Sequence, residues 1–245
     1  MKNRLTRIVL PLLVAVALPA CLSPLTAVYF VDMAPKSGAE NYHLDPATEA
    51  VVFSKEGLQI KVRYLSDEQL RAEIPGPQNP YVQQEIDVRR GYRPTVFTVF
   101  QVWVVNPTFA KVRLDPGKTE LVIDQGKSLS SYAIDRADAL GNWRNFETYF
   151  LSRGVQNGNQ QRLYLERMGK VRETVYHREA PVFKGKNYNG KIIFEALPPE
   201  TVGVELVLHD FILSFGIHNE PTERITLRFP FTVSQGVRDH MAERR

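Results

Sequence analysis

From Ile225 to Val233 apolar and polar residues alternate without a break. Ile225, Leu227, Phe229, Phe231 and Val233 form one set, and Thr226, Arg228, Pro230 and Thr232 the other. A period of two puts each set on its own face of an extended chain, which predicts an antiparallel strand with one side buried. Pro230 has no N–H to give to a ladder and predicts an edge position. A strand with one apolar face needs a second layer to cover it, so the rest of the chain must supply one.

Most of the remaining sequence reads as short strands with Pro and Gly turns. The stretch TVFTVFQVWVV (Thr95 to Val105) is too apolar for simple alternation and predicts a strand covered on both faces. Val51–Phe53 and Leu58–Tyr64 predict a hairpin closed by Lys55-Glu56-Gly57. Further short strands are expected at VRL and TELVID, separated by the turn Asp115-Pro116-Gly117-Lys118, then at KIIFEAL and Val204–Phe215. Ser66-Asp67-Glu68-Gln69 has the pattern of a capped helix start, with the helix ending near Glu73 before the proline-broken IPGPQNP. From about Asp135 to His177 the period changes. Leu140, Trp143, Phe146 and Phe150, then Leu163, Met168 and Val171, fall at helical spacing and predict an insertion of two helices joined through RGVQNGNQ. The fold class expected is mainly β: an antiparallel β-sandwich with an α-helical insertion. With 43% hydrophobic and 10% aromatic residues among 245, there is material for a full core.

The first thirty residues concern location. MKNRLTR followed by IVLPLLVAVALPA has the layout of an export signal, a cationic start and then an apolar run. Lys2, Arg4 and Arg7 supply most of the net charge of +4, so the remainder is nearly balanced and gives no reason to expect nucleic acid. Leu18, Ala20 and Cys21 resemble the lipobox of bacterial lipoproteins, with Pro19 in place of the usual small or β-branched residue. That resemblance implies cleavage before Cys21 and acylation of its thiol and new amino terminus. Leu22 follows the cysteine where an aspartate would mark inner-membrane retention, so the outer membrane facing the periplasm is expected. Ordinary secretory cleavage after Ala20 and an uncleaved anchor over Ile8–Val31 are the other readings. The expected organisation is a signal peptide at 1–20, a lipidated tether at 21–49 with room for a short extended piece at Ala27–Val31, a sandwich at 50–234 and a polar tail at 235–245. The single cysteine allows no internal disulfide.

The stretches TVFTVFQVWVVNPT with LVIDQGKSLSSYA, and FKGKNYNGKIIFEAL leading to VELVL, resemble the telokin-like, immunoglobulin-like domains of exported bacterial lipoproteins. The likeness covers about 93–133 and 182–233. It implies a fold and an exported location, and it carries no catalytic residues.

Reaction chemistry finds little support. There is no G-x-S-x-G, H-E-x-x-H or P-loop, so no enzyme and no cofactor is expected. The five histidines lack metal-ligand spacing, although His209 and His218 could meet across a hairpin. Asp210 interrupts an apolar strand and either faces water or pairs with an arginine such as Arg228. Trp143, Phe146, Tyr149 and Phe150 either pack on the sandwich or form a patch where a partner docks. Arg144, Arg153, Arg162, Arg167, Arg172 and Arg178 share that region and could suit an anionic glycan or headgroup. The functional expectation is a lipid-anchored binding or assembly component, such as an accessory subunit of an envelope complex. The alternative is a periplasmic carrier holding a lipid or glycan.

Overall fold

The structure, a computed structural model, describes residues 27–36, 40–139, 144–155 and 157–239. The strands are β1 (Ala27–Pro35), β2 (Tyr42–Asp45), β3 (Ala50–Lys55), β4 (Leu58–Leu65), β5 (Phe97–Asn106), β6 (Lys111–Val112) and β7 (Thr119–Ile123). They continue with β8 (Ser128–Ser130), β9 (Val182–Phe183), β10 (Lys186–Glu195), β11 (Gly203–Phe215) and β12 (Pro221–Asp239). The helices are α1 (Asp67–Glu73), α2 (Phe146–Leu151) and α3 (Gly158–Thr174). One sheet has the order β1-β12-β11-β7-β8 and the other β10-β5-β4-β3-β2, while β6 and β9 form a small separate pair. All these strand pairs are antiparallel.

The alternating stretch in β12 does what its period dictates. Leu227, Phe229, Phe231 and Val233 are buried together with Leu206 and Leu208 of β11 and Ile60, Val62, Phe100, Val102 and Val104 of the opposite sheet. The Phe100 and Phe231 rings meet across the layers at 5.3 Å. The chain is thus mainly β, with two antiparallel sheets facing each other across one core. Strand β5 is covered on both sides. Phe100, Val102 and Val104 face the other sheet, while Phe97 and Val99 join a second core with Leu70, Tyr81, Phe146, Met168 and Val171. That second core lies under the three helices, on the outer side of the β5 sheet.

Local turn chemistry explains the hairpin and the first helix. Glu56 and Gly57 both have positive φ (50° and 87°), as a two-residue turn matched to strand twist needs. Ser66 caps α1 in the predicted box: its side chain accepts from the Gln69 N–H at 3.3 Å, and the Gln69 side chain accepts from the Ser66 N–H at 2.9 Å.

Four expectations need correction. The extended piece at 27–31 is a full strand over 27–35 that belongs to the sandwich and not to a tether, and the strand structure at the other end runs to Asp239 rather than stopping at 234. The two corrections share one cause, because Ala27 pairs with Asp239 and each strand orders the other. Pro230 is not on an edge strand, since β12 lies between β1 and β11. Its carbonyl accepts from the Lys36 N–H at 2.9 Å, so the missing N–H lies on the β1 side, where β1 has just ended. Residues 135–139 form turns and not helix. α2 begins only at Phe146, where the Asn145 side chain accepts from the Thr148 N–H at 2.8 Å. Of the two readings of Asp210 the first holds: its side chain faces water, where it pairs with Lys118 at 2.6 Å, and Arg228 pairs instead with Glu205 at 2.6 Å. Asp210 sits at a β-bulge with φ 53°, a conformation aspartate tolerates, which turns its carboxylate toward Lys118. That hydrogen bond holds its pKa below the usual carboxylate range.

Candidate functional site

Helix α2 has the sequence FETYFL, and its spacing sorts the aromatic rings. Phe146 and Phe150 lie one turn apart and point into the second core, 0% and 6% exposed. Phe146 is therefore closed to a partner, a correction to that expected contact, while Phe150 is largely buried and shows only a small surface to a neighbouring hollow. Trp143 lies outside the described residues, as do Leu140 and Cys21. Tyr149 is half-buried. Its ring lies 4.7 Å from Phe97 on one side and meets the Arg153 guanidinium at 3.6 Å. Burial raises its pKa, against the pull of Arg153 and Arg167.

Arg153 stands four residues after Tyr149, just past the end of α2, and its Nη1 donates to the Tyr149 carbonyl at 3.2 Å. Arg167 comes from α3, whose start is capped by Asn157 and Gln160. Its neighbour Met168 is buried, which leaves Arg167 at the rim. The Arg167 Nε donates to the Pro77 carbonyl at 2.9 Å, and its guanidinium carbon lies 5.7 Å from the Phe150 ring. Partial burial lowers its pKa.

The facing wall is the proline-rich loop after α1. Asn79 is buried and fixes that loop: its Nδ2 donates to the Leu70 and Ile74 carbonyls, both at 2.8 Å, and its Oδ1 accepts from the Tyr81 N–H. Further along, Arg71 donates to the Gln83 carbonyl at 3.2 Å and Arg93 to the Gln84 carbonyl at 2.8 Å. A hollow of about 330 Å³ lies between this loop and the two arginines, with Gln83, Gln84, Glu85 and Val96 on its lining. A second hollow of about 390 Å³ adjoins it and shares Val96, Tyr149 and Arg153. Its far end holds Arg144, paired with both oxygens of Glu195 at 3.1 Å, and Tyr132, whose pKa burial pushes up to about 12. Together the hollows form one groove with Tyr149 at its middle.

The arginines of this region do not behave alike. Arg144, Arg162, Arg172 and Arg178 each lie within 4.0 Å of a carboxylate. Among the described residues Arg153 and Arg167 have no such partner. A guanidinium presents its donors in a fixed planar fork that matches carboxylate or phosphate oxygens, so the Arg153–Arg167 end of the groove is suited to hold an anion.

Elsewhere, the described residues contain no group of three or more His, Cys, Asp or Glu placed to hold a metal ion. His209 sits 3.6 Å from Glu120, and His218 lies in the turn that follows β11, its backbone N–H donating to Glu220. The hairpin does not bring the two histidines to one site.

A smaller cleft between β1 and α1 contains Asp67, whose carboxyl is pushed up to about 6 by burial, against the pull of Arg71 at 3.8 Å and the Thr95 hydroxyl. A raised carboxyl pKa means that the folded state binds a proton the unfolded chain has already released. Wild type is therefore expected to lose stability relative to Asp67→Asn as pH rises from about 4 through about 6. Urea unfolding of both proteins across that range checks this, and parallel curves would contradict it.

Comparison of the chain with family models, with curated proteins and with solved structures finds no match in any of the three.

Proposed function

We propose that this protein is a lipid-anchored lipoprotein of the bacterial cell envelope, with an immunoglobulin-like sandwich, acting as a binding or assembly component. The observation that carries the binding reading is the groove over Tyr149, where two arginines with no carboxylate within 4.0 Å among the described residues face a preset polar wall that includes Glu85. The anchor rests on Leu18, Ala20 and Cys21. Only five residues separate Cys21 from β1. That length reaches roughly 20 Å when extended, so an acyl group on Cys21 would keep the β1 end of the sandwich close to the bilayer. Among the described residues no helix is long and apolar enough to cross a membrane.

Two measurements test the reading. The intact mass of membrane-extracted protein is expected to show a chain starting at Cys21 with acyl mass, lost in Cys21→Ala. An unmodified chain retaining residues 1–20 would sink the anchor. Photocrosslinking in living cells is expected to give a discrete adduct from exposed Ser152, on the groove rim, and none from Thr226 on the solvent face of β12. Equal labelling from both positions would remove the groove from consideration.

A further inference from the structure

The groove's charge pattern narrows its ligand, on the reading that this groove is the contact surface. We infer that it receives an acidic polypeptide segment, one carboxylate seated between Arg153 and Arg167 and the chain running over Tyr149 toward Arg144 and Glu195.

The carboxylate end follows from what each guanidinium already does. Among the described residues Arg167 makes one hydrogen bond, through Nε to Pro77, which leaves its two terminal amino groups uncommitted. Arg153 uses one amino group on the Tyr149 carbonyl, and its guanidinium carbon stands 3.6 Å from the centre of the Tyr149 ring. An arriving carboxylate can accept from both, and each such charge-assisted hydrogen bond is about twice as strong as one between neutral groups.

The rest of the groove selects for a chain rather than a small anion or a charged surface. The hollows of about 330 and 390 Å³ adjoin, and a lone phosphate or carboxylate would fill only one end. Gln83 and Gln84 line the first hollow, with side-chain amides able to pair with peptide N–H and C=O groups. Their backbone is already held by Arg71 and Arg93, so little ordering is left to pay on binding. Two carboxylates also line the groove, Glu85 in the first hollow and Glu195 in the second. Glu195 is already paired with Arg144, but Glu85 repels a densely anionic ligand such as an acidic bilayer while leaving room for a segment with a single acid among neutral residues. At the far end Arg144 is neutralised by Glu195, so the groove is cationic at one end only and sets the direction of the bound chain.

The test starts from random dodecapeptides selected on the detergent-solubilised full chain, with affinities then read by fluorescence anisotropy. Selected peptides are expected to share one Asp or Glu flanked by neutral residues. Changing that acid to its amide should weaken binding about tenfold or more, the scale of losing a charge-assisted contact. Arg153→Gln with Arg167→Gln should do the same, and binding should weaken with added salt. Arg153→Gln alone keeps the Pro77 contact intact, so a loss seen there does not reflect a loosened α3. Amide peptides that bind as well as acid ones would overturn the inference, as would an unaffected double variant. So would arginine-dependent binding to phosphatidylglycerol vesicles or inorganic phosphate with no acidic peptide recovered. Ser152 crosslinks in cells that persist unchanged in the double variant would also overturn it, while leaving the groove as contact surface. Loss of those crosslinks together with peptide binding supports it.

Discussion

Phe146→Ala is expected to lower the free energy of unfolding by about 3–5 kcal/mol, enough to unfold a marginal domain. The ring is 0% exposed and lies among Tyr81, Phe97, Tyr132 and Phe150, with centroids 5.9, 5.4, 5.4 and 6.0 Å away. These neighbours come from the loop after α1, from β5, from the segment after β8 and from α2 itself. Phe146 therefore sits where every layer of the second core meets, and no one neighbour can move in to fill the space it leaves. The cavity cost then adds to the lost transfer free energy. Urea unfolding followed by near-UV circular dichroism measures it. A cost below about 1 kcal/mol, the level of surface changes, would return Phe146 to the list of partner contacts.

Gly190→Ala is the second large effect. Gly190 lies within β10, opposite Val102 of β5. A Cβ there would stand 2.5 Å from the Tyr176 Cα and 2.6 Å from its backbone nitrogen. The obstacle is main chain, so no change of rotamer relieves it. Just past the end of α3, Val175 bridges Lys191 in parallel and the Tyr176 N–H donates to the Lys191 carbonyl at 2.9 Å. Adding one methyl group must push that segment off the sheet edge, with an expected cost of about 3 kcal/mol, at the upper end for overpacking. Hydrogen exchange should localise the damage, with faster exchange in α3 and around 175–176 than in β11 and β12. Uniform protection in the variant would show that the contact yields more easily than its geometry implies.

Both residues show why the sequence was readable in some places and silent in others. The β12 alternation was plain because one of its faces stays wet, and the β3–β4 turn because Glu56-Gly57 has its own chemistry. The capping box of α1 is equally local. β1 was legible only in part, as an extended piece over 27–31, because only Val31 among its nine residues is buried and its order comes from pairing with the distant β12. For Phe146 and Phe150 the spacing announces an apolar face but says nothing of what covers it. The groove is harder still. Tyr149 and Arg153 at a spacing of four were a visible local cue, and Arg167 stood out no more than the other arginines nearby. Its contact with Pro77 spans 90 residues, and the role of Gln83 and Gln84 depends on that same fold-back, which leaves no mark in either segment alone.

The pairing of β1 with β12 also governs when the fold can close. Arg238 and Asp32, 3.0 Å apart, join strands separated by 206 residues. At about 5–20 residues per second of synthesis, β1 waits roughly 10–40 s for its partner to exist. Through that interval β12 is missing from between β1 and β11, and Phe100 of the opposite sheet has no Phe231 to pack against. The half-made layer keeps an open, apolar face and two unpaired strand borders, the features that invite association between nascent chains. Until β12 has been made and has paired with strands on both of its sides, the chain depends on its surroundings to remain single.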